Sequence, residues 1–307
     1  MEKVTKARNS LNTTPKSMTK KKKINNIKLA PYIFIAPAAI YIIIVTIIPA
    51  LMALPISFTD WSALTPKMHF IGFENYKNLL QDKEFYTSLI TMAKFFIYVP
   101  LVMICGLALA LLLNAKIKGM TIFRVIFYTP VITSTIAAAV LFDWFYQPSF
   151  GLFNSILNFF GINGIGWVSD AKTAVMSVII FKIWKGTGVA MLIYLAGLQD
   201  VPEELKEAAE IDGASSWRKF RNITLPLLRP AHIYLAITQI IGVFMIFQET
   251  YMLQGPLKST DTVVNYIYNK GFMSSEMGYA SAMSFVLFII VLIITLIQYK
   301  VLKIDAD

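Results

Sequence analysis

The stretch IWKGTGVAMLIYLAGLQDVPEELKEAAEIDGA, residues 183–214, changes character halfway along. Its first half is apolar and continues a run that begins near residue 172. Its second half, extended by SSWRKFRNITLP to Pro226, is polar and charged, and another apolar run starts near 231. About 20 mostly apolar residues cross the hydrocarbon of a bilayer. A polar insert between two such runs is therefore the mark of a loop joining two transmembrane helices.

The composition agrees. The chain has 307 residues, 56% hydrophobic and 15% charged, whereas a soluble domain usually carries about 25% charged residues. Such a mixture cannot build a water-facing surface. Six segments are long and apolar enough to span, at about 30–56, 87–113, 122–146, 172–197, 231–254 and 280–302. The expected fold is all-α, with six transmembrane helices. In the first segment Pro31 and Pro37 suit an N-terminal turn, and Pro49 predicts a kink or an end. That segment is too long for a cleaved signal peptide and reads as a retained anchor. Cys105, the only cysteine, excludes a disulfide framework.

Lysine and arginine orient the bundle, because loops on the cytoplasmic side are enriched in them. The tail before residue 30 carries nine, including the run Lys20 to Lys23. Lys116, Lys118 and Arg124 follow the second span; Lys206, Arg218, Lys219, Arg221 and Arg229 follow the fourth; Lys300 and Lys303 close the chain. The opposite side has Lys67, Lys77, Lys83, Lys258 and Lys270. Both termini are expected in the cytoplasm. The net charge of +10 is this asymmetry, and a lysine run beside a span suits anionic lipid. No aromatic residues interleave with it as in a nucleic-acid surface. The chain divides into a basic tail (1–29), a membrane domain (30–303) with a cytoplasmic loop at 199–230, and a short end (304–307).

Within that loop, Asp200 and Glu203 predict an N-cap with its capping-box partner, with Pro202 in the first turn. Val201, Leu205, Ala208, Ala209 and Asp212 fall on one helical face, and Glu203, Glu207 and Glu210 on the other. Gly213 is placed to end this helix in a left-handed conformation. Ser215 or Ser216 then caps a second short helix with Trp217 and Phe220 on one side, and Leu225-Pro226 stops it. Either this is a solvated surface hairpin, or the paired alanines, the glycine hinge and the aromatic knob form a docking lever for another protein.

The segment also resembles the EAA loop of binding-protein-dependent ABC importer permeases. Glu207-Ala208-Ala209, Gly213, Ile223 and Leu225-Pro226 stand at that loop's spacing. The resemblance implies that Glu207, Ala208, Ala209 and Gly213, with Asp212 beside them and Leu225-Pro226 as the end, dock into a separate ATPase subunit. FIGFENYKNLLQDKEFYTSLITMAKF (70–95), FYTPVITSTIAAAVLFDWFYQPSFGLFNSIL (127–157) and FQETYMLQGP (247–256) are similar to other parts of the carbohydrate-uptake permeases of the maltose and glycerol-phosphate type. The last of these is shorter than the glycine-rich turn usual in relatives. The likeness covers about 30–303. It implies a second related permease, an ABC ATPase dimer, an extracytoplasmic solute-binding protein and a sugar substrate, with no cofactor. ATP binding would close the ATPase dimer, move the loop inward and rock the permease pair between inward- and outward-facing states.

No enzyme constellation is legible. The phosphate-cradling run G-x-x-x-x-G-K-[ST] does not occur, His69 and His232 are far apart, and no Ser-His-Asp arrangement is visible. No catalytic or metal-ligating residue is expected. Asp143, Lys182, Lys185 and Glu249 lie within predicted spans, where an unpaired charge costs about 3 kcal/mol or more. They should face the bundle interior, as a Lys–Glu or Lys–Asp pair that shapes it or as the wall of a wet path. Gly242, Met245, Glu249 and Met252 are expected on one face of the fifth helix, with Gln248 and Tyr251 beside it. Met245, Gln248, Glu249 and Tyr251 are the candidate substrate contacts, with Gly188 on the fourth helix as a point of close approach. A different ABC cargo, such as a sugar phosphate or a peptide, and an ion-driven secondary transporter are the competing readings. The first would want arginines inside the spans and the second an internal repeat; neither is found.

Overall fold

The computed structural model describes residues 21–65, 67–114 and 119–301, with the backbone alone for 21–30. The start of the basic tail, Lys116, Lys118 and the segment 304–307 lie outside the described residues. The fold is helical, and the chain divides into two units, 1–53 and 54–307.

In the first unit Pro31 and Pro37 lie inside the helix Lys21–Ile42 rather than in its first turn. Pro49 does not break the helical run either. A proline has no N–H, and its ring crowds the carbonyl four residues back. Here the turn Ile43–Ile47 is wound as a π-helix, with the Ile48 N–H bonded to the Ile43 carbonyl. The helix resumes over Ile48–Ile56.

In the second unit three uninterrupted helices are long and apolar enough to cross a membrane: Lys83–Leu113, Ala174–Gln199 and Met277–Val301. Two bent pairs, Met120–Ile132 with Thr135–Phe145 and Ser216–Leu227 with Arg229–Phe244, each supply one more span if counted as single crossings. With Pro31–Ile56 the number reaches six. Lys83–Leu113 and Ala174–Gln199 are the spine. Val102, Ala190 and Met191 are fully buried between neighbours, and a Cβ on Gly106 would strike that of Ala190. Small residues let two helix backbones approach where lipid offers no hydrophobic drive. Pro100 leaves the second span one donor short, and the chain tightens to a 3₁₀ turn at Phe95–Ile97 just before it.

Two expected spans are not single helices. The third breaks by 96° between Ile132 and Thr135. Thr133 and Ser134 are extended, the Thr133 hydroxyl donates to the Pro130 carbonyl at 2.7 Å, and Ser134 caps the second half. The fifth helix ends at Phe244, and a separate short helix runs Gln248–Met252. No proline or glycine lies between Phe244 and Gln248, although Gly242 sits in the last turn before the break. The Thr262 hydroxyl instead donates to the freed Ile246 carbonyl at 2.9 Å, and the buried Thr250 hydroxyl donates to Asn265 Oδ1 at 2.6 Å. Two buried side chains sixteen and fifteen residues along the chain thus make the break affordable.

Candidate functional site

The polar insert folds as a helical hairpin on the exit of the fourth span. Its first helix is Glu203–Ile211. The expected Asp200 capping box does not form: Asp200 instead ends the preceding helix, and Pro202 occupies the N-cap position with no side-chain bond. A helical φ at Asp200 continues the span into the turn, which takes its carboxylate away from the next helix start.

The other end is as expected. Gly213 has φ +73°, its N–H bonds to the Glu210 carbonyl at 3.0 Å, and the Ala214 N–H bonds to the Ala209 carbonyl at 2.8 Å. This is the paired hydrogen-bond closure of a Schellman motif. A Cβ at Gly213 would meet nothing within 4 Å, so only the backbone angle demands glycine. Ser215, not Ser216, caps the second helix through the Arg218 N–H at 3.3 Å. Lys219 reaches Glu210 at 3.1 Å and ties the two arms together. Leu225-Pro226 does not stop this helix. A π turn at Phe220–Thr224 precedes the proline and the helix runs through to Leu227; the 62° bend falls at Leu228.

All seven predicted coupling residues therefore belong to one hairpin, and no residue of Glu203–Ile211 is buried. Of the expected apolar face Val201 is buried against this chain, whereas Ala208 is exposed and Ala209 half-buried. Ile211 is 87% exposed, Trp217 is 68% exposed, and Leu205 is also exposed. Trp217 stacks beside Phe220 with ring centroids 5.5 Å apart. The hairpin thus leaves Ala208 and three large apolar side chains exposed.

Inside the bundle Lys182 Nζ lies 3.5 Å from Glu249 Oε1, with both side chains about 15% exposed. Lys182 also stands 5.0 Å over the Tyr98 ring, whose hydroxyl donates to Gln239 Oε1 at 2.9 Å. One polar network therefore joins the second, fourth and fifth spans. Lys185 turns to the break in the third span and donates to the Pro130 and Thr133 carbonyls. Asp143 pairs with neither lysine among the described contacts; its partner is Gln147 Nε2 at 3.5 Å.

The predicted substrate contacts separate. The helix break removes the single face expected for Gly242, Met245, Glu249 and Met252. Met245 stands at the break, 74% exposed. Gln248 and Tyr251 are exposed on the short helix, and Glu249 is held by Lys182. Gly188 is not an open point of approach. A Cβ there would lie 2.6 Å from the Phe127 carbonyl and 2.8 Å from Val131, so the third span already fills the space. Sequence reasoning missed a line of rings beside Tyr251. Phe247 stacks with Tyr251 (5.4 Å) and Tyr268 (5.0 Å), and Tyr268 with Phe272 (5.2 Å). The i, i+4 spacing of 247 with 251 and of 268 with 272 was its available signal.

These features define a multi-pass membrane protein with an exposed helical hairpin after its fourth span. The chain belongs to the family described as binding-protein-dependent transport system inner membrane component, whose model matches residues 102–303. It is thus a permease subunit, a transport component rather than an enzyme. It is 34% identical over 290 residues to the probable ABC transporter permease protein YurN of Bacillus subtilis, covering 91% of this chain and 98% of that one. It is 36% identical to the arabinooligosaccharides transport system permease protein AraP of the same species, over 89% and 88% of the two chains. It is 35% identical to the trehalose/maltose transport system permease protein MalF of Thermococcus litoralis, over 95% and 99%. A chain from the crystal structure of a bacterial ABC transporter that imports the acidic polysaccharide alginate superposes with TM-score 0.81 at 23% identity, over 93% of this chain and 99% of that one. That likeness extends the shared fold across almost the whole length.

Proposed function

We propose that this permease forms half of the translocation path of an ATP-driven importer for a sugar or oligosaccharide, in the cytoplasmic membrane of a bacterium. Both termini and the hairpin face the cytoplasm. The carbohydrate cargo is supported by the relatives, which are named for arabinooligosaccharides, trehalose and maltose. The observation that carries the coupling role is the capped hairpin after the fourth span, with Ala208, Ala209, Ile211 and Trp217 left for a partner.

In this reading Glu207, Ala208, Ala209, Asp212 and Gly213 seat in a cleft of one ATPase subunit. Leu225 and Pro226 stiffen the arm that leads to the fifth span. A second, related permease completes the path, and an extracytoplasmic binding protein delivers the sugar. Closure of the ATPase dimer on ATP pushes the hairpin. The push reaches the fifth span through the bend at Leu228. The sugar passes along the exposed edge formed by Met245, Gln248 and Tyr251, with Glu249 fixed beside it. Gly188 acts one step back, by seating the third span. No bond in the sugar is broken.

Co-purification from native membranes tests this, comparing the wild type with Gly213→Asp. The space around Gly213 is open, so the bundle should survive while the turn is strained by about 1–2 kcal/mol. Recovery of an ATPase with the wild type, and its loss from the variant, is the expected result. A wild-type chain that purifies alone and moves solute on an ion gradient would overturn the proposal.

A further inference from the structure

We propose that the outer end of this permease carries a saccharide-binding site of its own, separate from the Met245–Tyr251 edge. The proposal rests on the carbohydrate reading above and adds a place where sugar is held before it enters the path. A cavity of about 510 Å³ lies between the loop at 60–62, the helix Glu74–Gln81 and the segment 270–279. Ligand pockets commonly fall between about 300 and 1,000 Å³. The second and fourth spans run in the same direction, since Tyr98 and Val102 meet Gly186 while Gly106 meets Ala190. The start of the second span therefore lies at the end remote from the hairpin, and the cavity lies there too.

Its lining has the chemistry of a neutral polyhydroxy ligand. Trp61 and Tyr279 offer aromatic surface for the C–H face of a sugar ring. Asn78, Lys270 and Glu276 supply donors and acceptors for hydroxyl groups at its edge, while Asn75 fixes the wall by donating to the Ser57 and Thr59 carbonyls. The charged groups close by are already hydrogen-bonded or paired. Lys270 lies 3.2 Å from Glu276, and the Asp60 carboxylate is paired with His69 at 3.0 Å. Asp82 accepts from the Tyr266 and Tyr279 hydroxyls with one oxygen and from the Glu84 and Phe85 N–H groups with the other. Asp60, Asp82 and Glu276 against Lys270 leave the lining acidic, which disfavours an anionic ligand, while a neutral sugar can donate its hydroxyls to the carboxylate oxygens.

The walls are preformed. The Gly278 N–H donates to the Trp61 carbonyl at 2.9 Å, and the Ala63 N–H to the Ser275 carbonyl at 3.3 Å. A Cβ at Gly278 would run into the Thr59 carbonyl, so the loop bearing Trp61 sits directly on the start of the sixth span. Ser275, buried in the lining, has φ +60°. A non-glycine residue persists there only when its surroundings over-determine it, and such strain clusters at binding sites.

The test uses the whole importer in nanodiscs without its binding protein, with maltotriose and arabinotriose as probes, read by saturation-transfer NMR. At least one trisaccharide should bind the wild type and Trp61→Phe. Trp61→Ala and Asn78→Leu should each weaken binding about fivefold or more, the worth of one lost contact. Binding by neither sugar, or binding unchanged in Trp61→Ala and Asn78→Leu, overturns the site. So does a Trp61→Ala variant that keeps the sugar but, in a second assay with the binding protein added, no longer binds that protein, since the cavity would then be a docking socket. Uptake by the complete importer reads the carbohydrate function separately. Intact uptake with cavity-independent binding overturns the site alone, and failed uptake of both sugars overturns the carbohydrate reading itself.

Discussion

The Lys185 ammonium lies 2.7 Å from the carbonyl oxygen of Thr133 and 3.2 Å from that of Pro130. Those carbonyls are at the end of the first half of the broken third span, where a helix leaves acceptors without partners and carries partial negative charge. In lipid such groups cannot turn to water. A cation from the fourth span takes that role, so an apparently misplaced intramembrane lysine is the cap of a neighbouring helix.

Lys185→Met is therefore expected to weaken the bundle by about 1.5–3 kcal/mol, the worth of a hydrogen bond from a charged group. Thermal unfolding of the purified protein in detergent measures this. An unchanged midpoint would mean that other groups or water serve the two carbonyls. Lys185→Arg, which keeps the charge and the donors, should recover most of the loss.

Lys182 and Glu249 should behave as a unit. Removing one partner of a buried pair strands the other charge and costs about 3–5 kcal/mol. Lys182→Met and Glu249→Gln alone should each lower stability, and the double variant should recover much of it. Equal and additive losses across the three variants would show that the 3.5 Å contact carries no coupling.

Gly188→Ala and Gly242→Ala make a matched pair. A Cβ at Gly188 meets the Phe127 carbonyl at 2.6 Å, whereas one at Gly242 meets nothing within 4 Å. The first should displace the third span and cost about 1–3 kcal/mol, as overpacking does. The second should be neutral or slightly stabilising, because alanine suits a helix better than glycine. Unfolding midpoints of the two variants give the comparison, and a tolerated Gly188→Ala would count against the close packing.

Asp82 should make the outer end sensitive to acid. Burial by itself raises its pKa, but hydrogen bonds from Tyr279, Tyr266 and the Phe85 and Glu84 N–H groups outweigh it and hold the carboxyl below the usual range. A depressed folded value stabilises the protein above the unfolded value of about 3.9, and that stability is lost as pH falls through the folded value. Asp82→Asn should be the less stable protein at pH 7, and the gap should narrow as the pH falls below the unfolded value of about 3.9. A gap independent of pH would show that the charge of Asp82 is not what holds Tyr266 and Tyr279.

Much of this architecture was legible locally. The apolar runs are long enough to be spans whatever they pack against. The hairpin was readable because a left-handed glycine and a serine cap act within a few residues of themselves. Two neighbouring signals misled for the same local reason. Asp200 has the right chemistry for a cap but is held in the preceding helix, and Pro226 has the chemistry of a stop but is absorbed by a π turn. The third-span break was signalled by Pro130 followed by Thr133 and Ser134, a helix end and a new cap in succession.

By itself, the sequence determined the membrane class, the helical fold and the closure of the hairpin at Gly213, because hydrophobic length and backbone preference are properties of short segments. The tertiary structure decided where the fifth helix ends, what Lys182 and Lys185 are for, and that Gly188 meets a helix. Each of these depends on a partner far along the chain. Thr262 satisfies Ile246, Glu249 answers Lys182 across 67 residues, and the Phe127 carbonyl fills the space beside Gly188. A polar group in a low-dielectric interior is stable only beside its complement, and only the folded chain brings the two together.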